Sequence, residues 1–178
     1  PKLCITHGLS GSGKSTVAAQ VVDRYGMLRI RSDVERKRLH GLNAEADSGS
    51  ALGAGIYDMD STRATYDRLA EIAETALTSG YAVIVDATFL KNWQRSQFAA
   101  LAAHLELPFV ILDIKVPLPI LKRWISERRK AGADPSEADF GVLEQQIATR
   151  EPLSDDEREH RCAVNAVDPD IETLFQHF

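Results

Sequence analysis

Short apolar runs bounded by glycine or polar residues alternate along the whole chain with stretches whose apolar residues recur every three or four positions. Leu3 to His7 is the first such run; it closes on a glycine and predicts a buried strand. Val17, Val21 and Val22, with Ala18 and Ala19, follow at helical spacing. Met27 to Asp33 predicts a second strand, and Val34 to Gly41 a short helix stopped by its glycine. A long amphipathic helix is expected from Ser61, as its cap, to Thr78, with Gly80 as the stop. Tyr81 to Thr88 carries a run suited to a strand covered on both faces. A helix over 93–104, a strand over 109–114, helices over 118–130 and 136–150, a strand over 161–167 and a last helix from Asp170 complete the series.

Five strands separated by helices predict an α/β chain: a three-layer α/β/α sandwich with a mainly parallel five-stranded sheet, whose ligands gather at the carboxyl ends of the strands. Residues 42–58 turn to Gly, Ala, Ser and Asp and are too long for an ordinary connection, so they read as a variable substrate loop. At 178 residues the chain fits a single domain over 1–178. The start at Pro1, immediately before a strand pattern, suggests a domain taken from something longer. No apolar run is long enough to span a bilayer, which excludes a membrane partner and points to a cytoplasmic setting. A net charge of −5 argues against a broad basic surface for long nucleic acid and leaves a local basic channel open. Cys4 and Cys162, each in an apolar run, read as reduced buried thiols.

Chemistry enters where the first strand hands over to the first helix. Gly8, Gly13, Lys14 and Ser15 meet the pattern GxxxxGK[ST] without substitution. Glycines at 8, 11 and 13 let the backbone turn its N–H groups inward around a β-phosphate, with Ser10 and Ser12 inside the same turn. Lys14 then neutralises the β- and γ-phosphates, the Ser15 hydroxyl ligates Mg²⁺, and Thr16 either touches the α-phosphate or caps a helical turn. The loop marks a P-loop NTPase but does not separate kinases from hydrolytic ATPases. The chain lacks the NKxD base-reading motif of GTPases and is too short for a large ATPase machine, which leaves ATP and a small kinase.

Other residues supply the rest of such a reaction. Asp33, ending the second strand, is placed to take the proton of an attacking hydroxyl, or else caps the next helix. Arg36, three residues on, shares its helical face and suits an acceptor phosphate. Asp86 is an acid at the carboxyl end of an apolar strand and reads as a partner of Mg²⁺ or of the water around it. Thr88 and Asn92 follow within reach of an acceptor and Arg95 lies one helical turn beyond Asn92, although a plain helix surface is the better reading. Arg123, Arg128 and Arg129 precede Gly132 and Pro135, the build of a helical lid over about 117–150 that brings arginine to the transferring group; a helix C-terminus also attracts basic residues without such a role. The glycines at 49–55, His40, His104 and the His160–Cys162 pair form no dinucleotide or metal pattern, and Trp93 and Trp124 read as packing residues.

In HGLSGSGKST, RSDVER, VIVDATFL and the arginine-bearing lid, the chain resembles, over nearly its full length, the P-loop kinase-like ATPase domains called zeta-toxin-like or polynucleotide-kinase-like. It is similar in particular to the ATP-binding half of bacterial two-part proteins whose other half looks like an aminoglycoside phosphotransferase. The resemblance implies a Mg-ATP-dependent kinase in which Lys14, Ser15, Asp33, Arg36, Asp86 and Arg128, with Arg123 as a second lid cation, hold the functional positions. It implies a fused or associated phosphotransferase-like domain as a partner. The hydroxyl acceptor stays open between a small molecule and a nucleic-acid 5′-end, and an ATP-binding regulatory module without its own acceptor is the alternative.

Overall fold

A computed structural model describes residues 1–43, 58–130, 138–172 and 174, with the side chains of 128–130 and 138–139 outside that description. The elements run β1 (Leu3–His7), α1 (Lys14–Tyr25), β2 (Leu28–Arg31), α2 (Ser32–Leu39), α3 (Met59–Thr78), β3 (Val83–Asp86), α4 (Asn92–His104), β4 (Phe109–Lys115), α5 (Leu118–Lys130), α6 (Ala138–Thr149), α7 (Asp155–Glu159) and β5 (Arg161–Asn165). The five strands lie in the order β2-β3-β1-β4-β5, and every pairing is parallel. Because successive strand side chains point to opposite faces, each strand feeds two cores. Leu3, Ile5, Val83, Val85, Phe109 and Ile111 pack with α3 and α4 on one face. Cys4, Ile84, Val110, Leu112, Ile114 and Val164 pack with α1 on the other. Each fully buried aliphatic side chain stabilises this sandwich by about 1.5–3 kcal/mol. No helix among the described residues is long and apolar enough to cross a membrane.

Local differences from the sequence expectations have physical reasons. The long helix starts earlier than Ser61: Asp58 is its cap, its carboxylate accepting from the Ser61 amide at 2.7 Å, because Asp caps a helix as well as Ser does and stands three residues earlier. The second strand stops at Arg31 and α2 begins at Ser32, so Asp33 lies in the first helical turn, where an acid favours the helix dipole. Residues 170–172 and 174 are not helical, and the remainder of the expected last helix lies outside the described residues. So do residues 44–57 of the expected substrate loop and 131–137 of the lid.

Candidate functional site

β1 ends between β3 and β4, where the direction of strand addition reverses, and the chain leaves it through the glycine turn into α1. Gly8 is forced by close approach: a Cβ there would stand 3.0 Å from Ser12 Oγ and 3.1 Å from the Ile114 carbonyl oxygen. Gly13, at φ +88°, sits in the left-handed region that admits glycine cheaply and launches α1. The Gly8 amide donates to the Thr88 carbonyl at 3.1 Å, tying the turn to the loop after β3. The first turn of α1 holds no acid, so its positive dipole end faces the glycine turn without side-chain compensation. Ser12 Oγ is buried with no hydrogen-bond partner among the described residues, leaving an unused donor inside the turn. Lys14, 8% exposed, reaches back to donate from Nζ to the Leu9 carbonyl at 2.7 Å.

Strand parity brings the next two residues together. Asp86 lies on the same face of β3 as Ile84, the face covered by α1, and Ser15 opens α1. Ser15 Oγ donates to Asp86 Oδ2 at 2.9 Å. A hydroxyl and a carboxylate meeting at the foot of the turn are the hard oxygen donors that suit Mg²⁺, which keeps most of its other positions for water and phosphate. Arg29, which the sequence reading passed over, also lies on the α1 face and donates to the same Asp86 Oδ2 from Nε at 3.2 Å and Nη2 at 2.5 Å. Its signal was available: the neighbouring Ile30 packs with the opposite face, so alternation turns Arg29 towards α1.

The other expected residues separate into groups. Arg31 stands opposite Asp86 in the β2–β3 register, which brings the start of α2 to this end of the sheet. Asp33 there is about half exposed and accepts from Arg31 at 2.7 Å. Arg36 is 8% exposed and donates to Thr62 Oγ1 of α3 at 3.1 Å. Ser10, Gly11 and Thr16 complete the turn and the start of α1, with Thr16 exposed. Arg123 is exposed beside Glu127 at 3.8 Å, and the side chain of Arg128 lies outside the described residues. Arg95 is no surface residue: it is fully buried and bonded to Glu157 and to three backbone carbonyls.

Two further groups escaped the sequence reading. Gln146 of α6 accepts from the Ser10 amide and donates to Ser10 Oγ, both at 2.8 Å, while Leu9 packs against Leu121, Ile125 and Leu143. The helices of the expected lid are thereby fastened to the glycine turn. Below the turn, His7 and Asp113 face each other across β1 and β4 at 2.8 Å, and Arg161 and Lys115 reach the other Asp113 oxygen at 2.6 and 3.1 Å. Burial alone would raise the Asp113 pKa, but the donors from His7, Arg161 and Lys115 outweigh it and hold the carboxyl well below its usual range.

The model of the AAA domain family matches residues 3–153. The chain belongs to that family. Uncharacterized proteins of Mycobacterium tuberculosis and Mycobacterium bovis are each 32% identical to this AAA-domain chain over 133 residues. The match takes in 75% of the chain and 27% of each relative, so the AAA-domain chain spans about a quarter of their length. Its fold is shared with a sugar kinase of Janibacter sp. (TM-score 0.68, 23% identity, 98% of this chain and 90% of that one). A gluconokinase of Sinorhizobium meliloti is also similar in fold (TM-score 0.63, 21% identity, 99% and 88%). The AAA-domain chain thus shares the three-layer α/β fold of these two proteins.

Proposed function

We propose that the AAA-domain chain is a kinase that moves the γ-phosphate of Mg-ATP to a hydroxyl-bearing acceptor. The observation that carries this reading is the meeting of Ser15 Oγ and Asp86 Oδ2 at 2.9 Å at the foot of the glycine turn. Ser15 and Asp86 would hold Mg²⁺, which when bound screens phosphate charge. The turn offers its amides and the open dipole end of α1 to the β-phosphate, and Lys14 exchanges the Leu9 carbonyl for phosphate oxygens. Asp33 takes the acceptor proton, for which its exposure leaves room, and Arg36 orients the acceptor from one helical turn further on. Lid arginines, Arg128 first and Arg123 second, stabilise the charge on the transferring group. The sugar kinase and gluconokinase that share the fold favour a small polyhydroxy acceptor over a nucleic-acid end.

The share of the relatives' length that the chain spans favours one second reading: an ATP-binding module that regulates an attached domain and passes phosphate to nothing of its own. Incubation with γ-labelled ATP, Mg²⁺ and pools of sugars, sugar acids, aminoglycosides, nucleosides and oligonucleotides separates the two. Transfer to one pool is expected, with Lys14→Ala slowing it at least ~100-fold and Asp33→Ala abolishing it while nucleotide binding persists. No labelled pool, together with Mg-ATP binding by the wild type, favours the regulatory reading instead. Full turnover by Lys14→Ala refutes the phosphate-cradle assignment.

A further inference from the structure

The geometry points to Arg29 as a stand-in cation that occupies the metal position of Asp86 and must leave when the metal-bound nucleotide arrives. This inference rests on the reading of Ser15 and Asp86 as a Mg²⁺ site. The Asp86 side chain is 5% exposed, so water cannot solvate its charge, and a carboxylate so placed needs a cation or several donors. It obtains both on a single oxygen: Oδ2 accepts from Ser15 Oγ at 2.9 Å and from Arg29 at 2.5 and 3.2 Å. Three donors converging on Oδ2 leave no lone-pair direction for a metal that requires near-octahedral contacts at about 2.0–2.1 Å.

Mg²⁺ held through Oδ2 and Ser15 Oγ would therefore compete with the guanidinium for that oxygen, and a dication placed beside Arg29 would also repel it. Ser15 can turn its hydroxyl and keep its place as a ligand, because an O–H oxygen is donor and acceptor at once. Arg29 has no such choice, being a donor only. It has somewhere to go: its side chain is 21% exposed, on a strand at the edge of the sheet, so it can swing to water without leaving a buried charge unpaired. Arg29 thus keeps the empty site stable and sets the Mg²⁺ concentration at which the site loads. This is competition between a built-in cation and a bound one, and it lowers apparent metal affinity by the fraction of molecules in which Arg29 holds Asp86.

Two measurements on the full chain test this. In the wild type, the Arg29 Nε–H resonance, assigned by its loss in Arg29→Lys, is expected to be protected from exchange alone and with the ATP analogue AMP-PNP in EDTA, and to lose protection when MgCl₂ is added with AMP-PNP. In Arg29→Gln, thermal unfolding without nucleotide should fall to lower temperature. The Mg²⁺ midpoint for AMP-PNP-dependent stabilisation should also fall, on the order of tenfold, which is the worth of a charge-assisted hydrogen bond. A resonance that stays protected with Mg-AMP-PNP bound, or a Mg²⁺ midpoint that is unchanged or raised, makes Arg29 a permanent anchor and overturns the inference. If Arg29→Gln does not fold, the wild-type resonance decides alone. If AMP-PNP does not bind the wild type with or without Mg²⁺, the nucleotide reading itself fails and this inference falls with it.

Discussion

Replacing Arg95 by leucine should cost folding stability and leave the chemistry of folded molecules intact. The guanidinium is fully buried and makes five hydrogen bonds. Two go to the Glu157 carboxylate, at 2.6 and 3.1 Å, and three to the carbonyls of Phe89, Glu151 and Pro152, at 2.9, 3.2 and 3.3 Å. Leucine fills the volume of the stem but leaves Glu157, 13% exposed, without its cation and the three carbonyls without a donor. Removing one partner of a buried pair costs about 3–5 kcal/mol, whereas a surface substitution stays within about 0.5 kcal/mol. Urea unfolding should therefore report a loss of about 4 kcal/mol, and at about 2–4 °C per kcal/mol for a chain of this size the midpoint should fall by roughly 8–16 °C. Adding Glu157→Gln should restore part of the loss, because the stranded charge is then gone. Burial raises the Glu157 pKa, but Arg95 and the Ser154 amide lower it further, so the net shift is downward. A lowered folded pKa means the contribution is present above the unfolded value of about 4.3 and fades as pH falls below it. The gap between wild type and Arg95→Leu should accordingly be full at neutral pH and narrow in acid. A stability loss under 1 kcal/mol with transfer activity abolished would refute this reasoning and return Arg95 to the acceptor.

Two further substitutions test the supports of the glycine turn. Gln146→Ala removes two hydrogen bonds to Ser10, together worth about 2 kcal/mol, and should speed hydrogen exchange at the Ser10 amide by roughly 30-fold with little change in global unfolding; unchanged exchange would mean the lid is not fastened there. Asp113→Asn leaves His7, Arg161 and Lys115 facing a weak acceptor and should cost about 2–4 kcal/mol at pH 7. Because the Asp113 pKa is lowered on folding, that cost should shrink as pH drops below about 4, and a gap that widens in acid would contradict the network.

The parts of this molecule that announced themselves in the sequence are those governed by local rules. A strand covered on both faces must be an apolar run, as in Val83 to Val85, and a tight turn must carry glycine where a Cβ would collide with its own chain, as at Gly8. Helix edges shifted where two good caps stood close together: Asp58 and Ser61 both suit an N-terminus, and the distance to the end of the helix does not choose between them. What stayed hidden are pairings over long separations. Gln146 reaches Ser10 across 136 positions and Asp113 reaches His7 across 106, and nothing local in either segment names the other. Parity narrows the search, since His7 and Asp113 are polar interruptions on the same face of neighbouring strands, but only after the strand order is known. Arg95 misled for the opposite reason: arginine on a helix is ordinarily a solvated residue, and only the chain from Glu151 to Glu157 wrapping over it makes it a core residue.

The contacts around the glycine turn share a consequence for how the site would work. Lys14 is spent on the Leu9 carbonyl, Ser15 and Arg29 on Asp86, and the Ser10 amide on Gln146. A nucleotide entering this turn would exchange those internal bonds for its own, so its affinity would be the difference between two sets of contacts and not the sum of one. Exchange also orders the events. Arg29 can retreat to water, and Lys14 needs only to swing from its own loop, but Gln146 belongs to a helix packed through Leu143 against Leu121 and Ile125, and it can follow the turn only if that helix moves with it. Phosphate binding and lid position would thus be joined through Gln146 and the packing of Leu9, which makes the kinetics of Gln146→Ala informative in a way that its affinity is not. A lid that follows the turn should close more slowly on the loaded site once that side chain is gone, and a rate of closure unchanged by the substitution would show that turn and lid move independently.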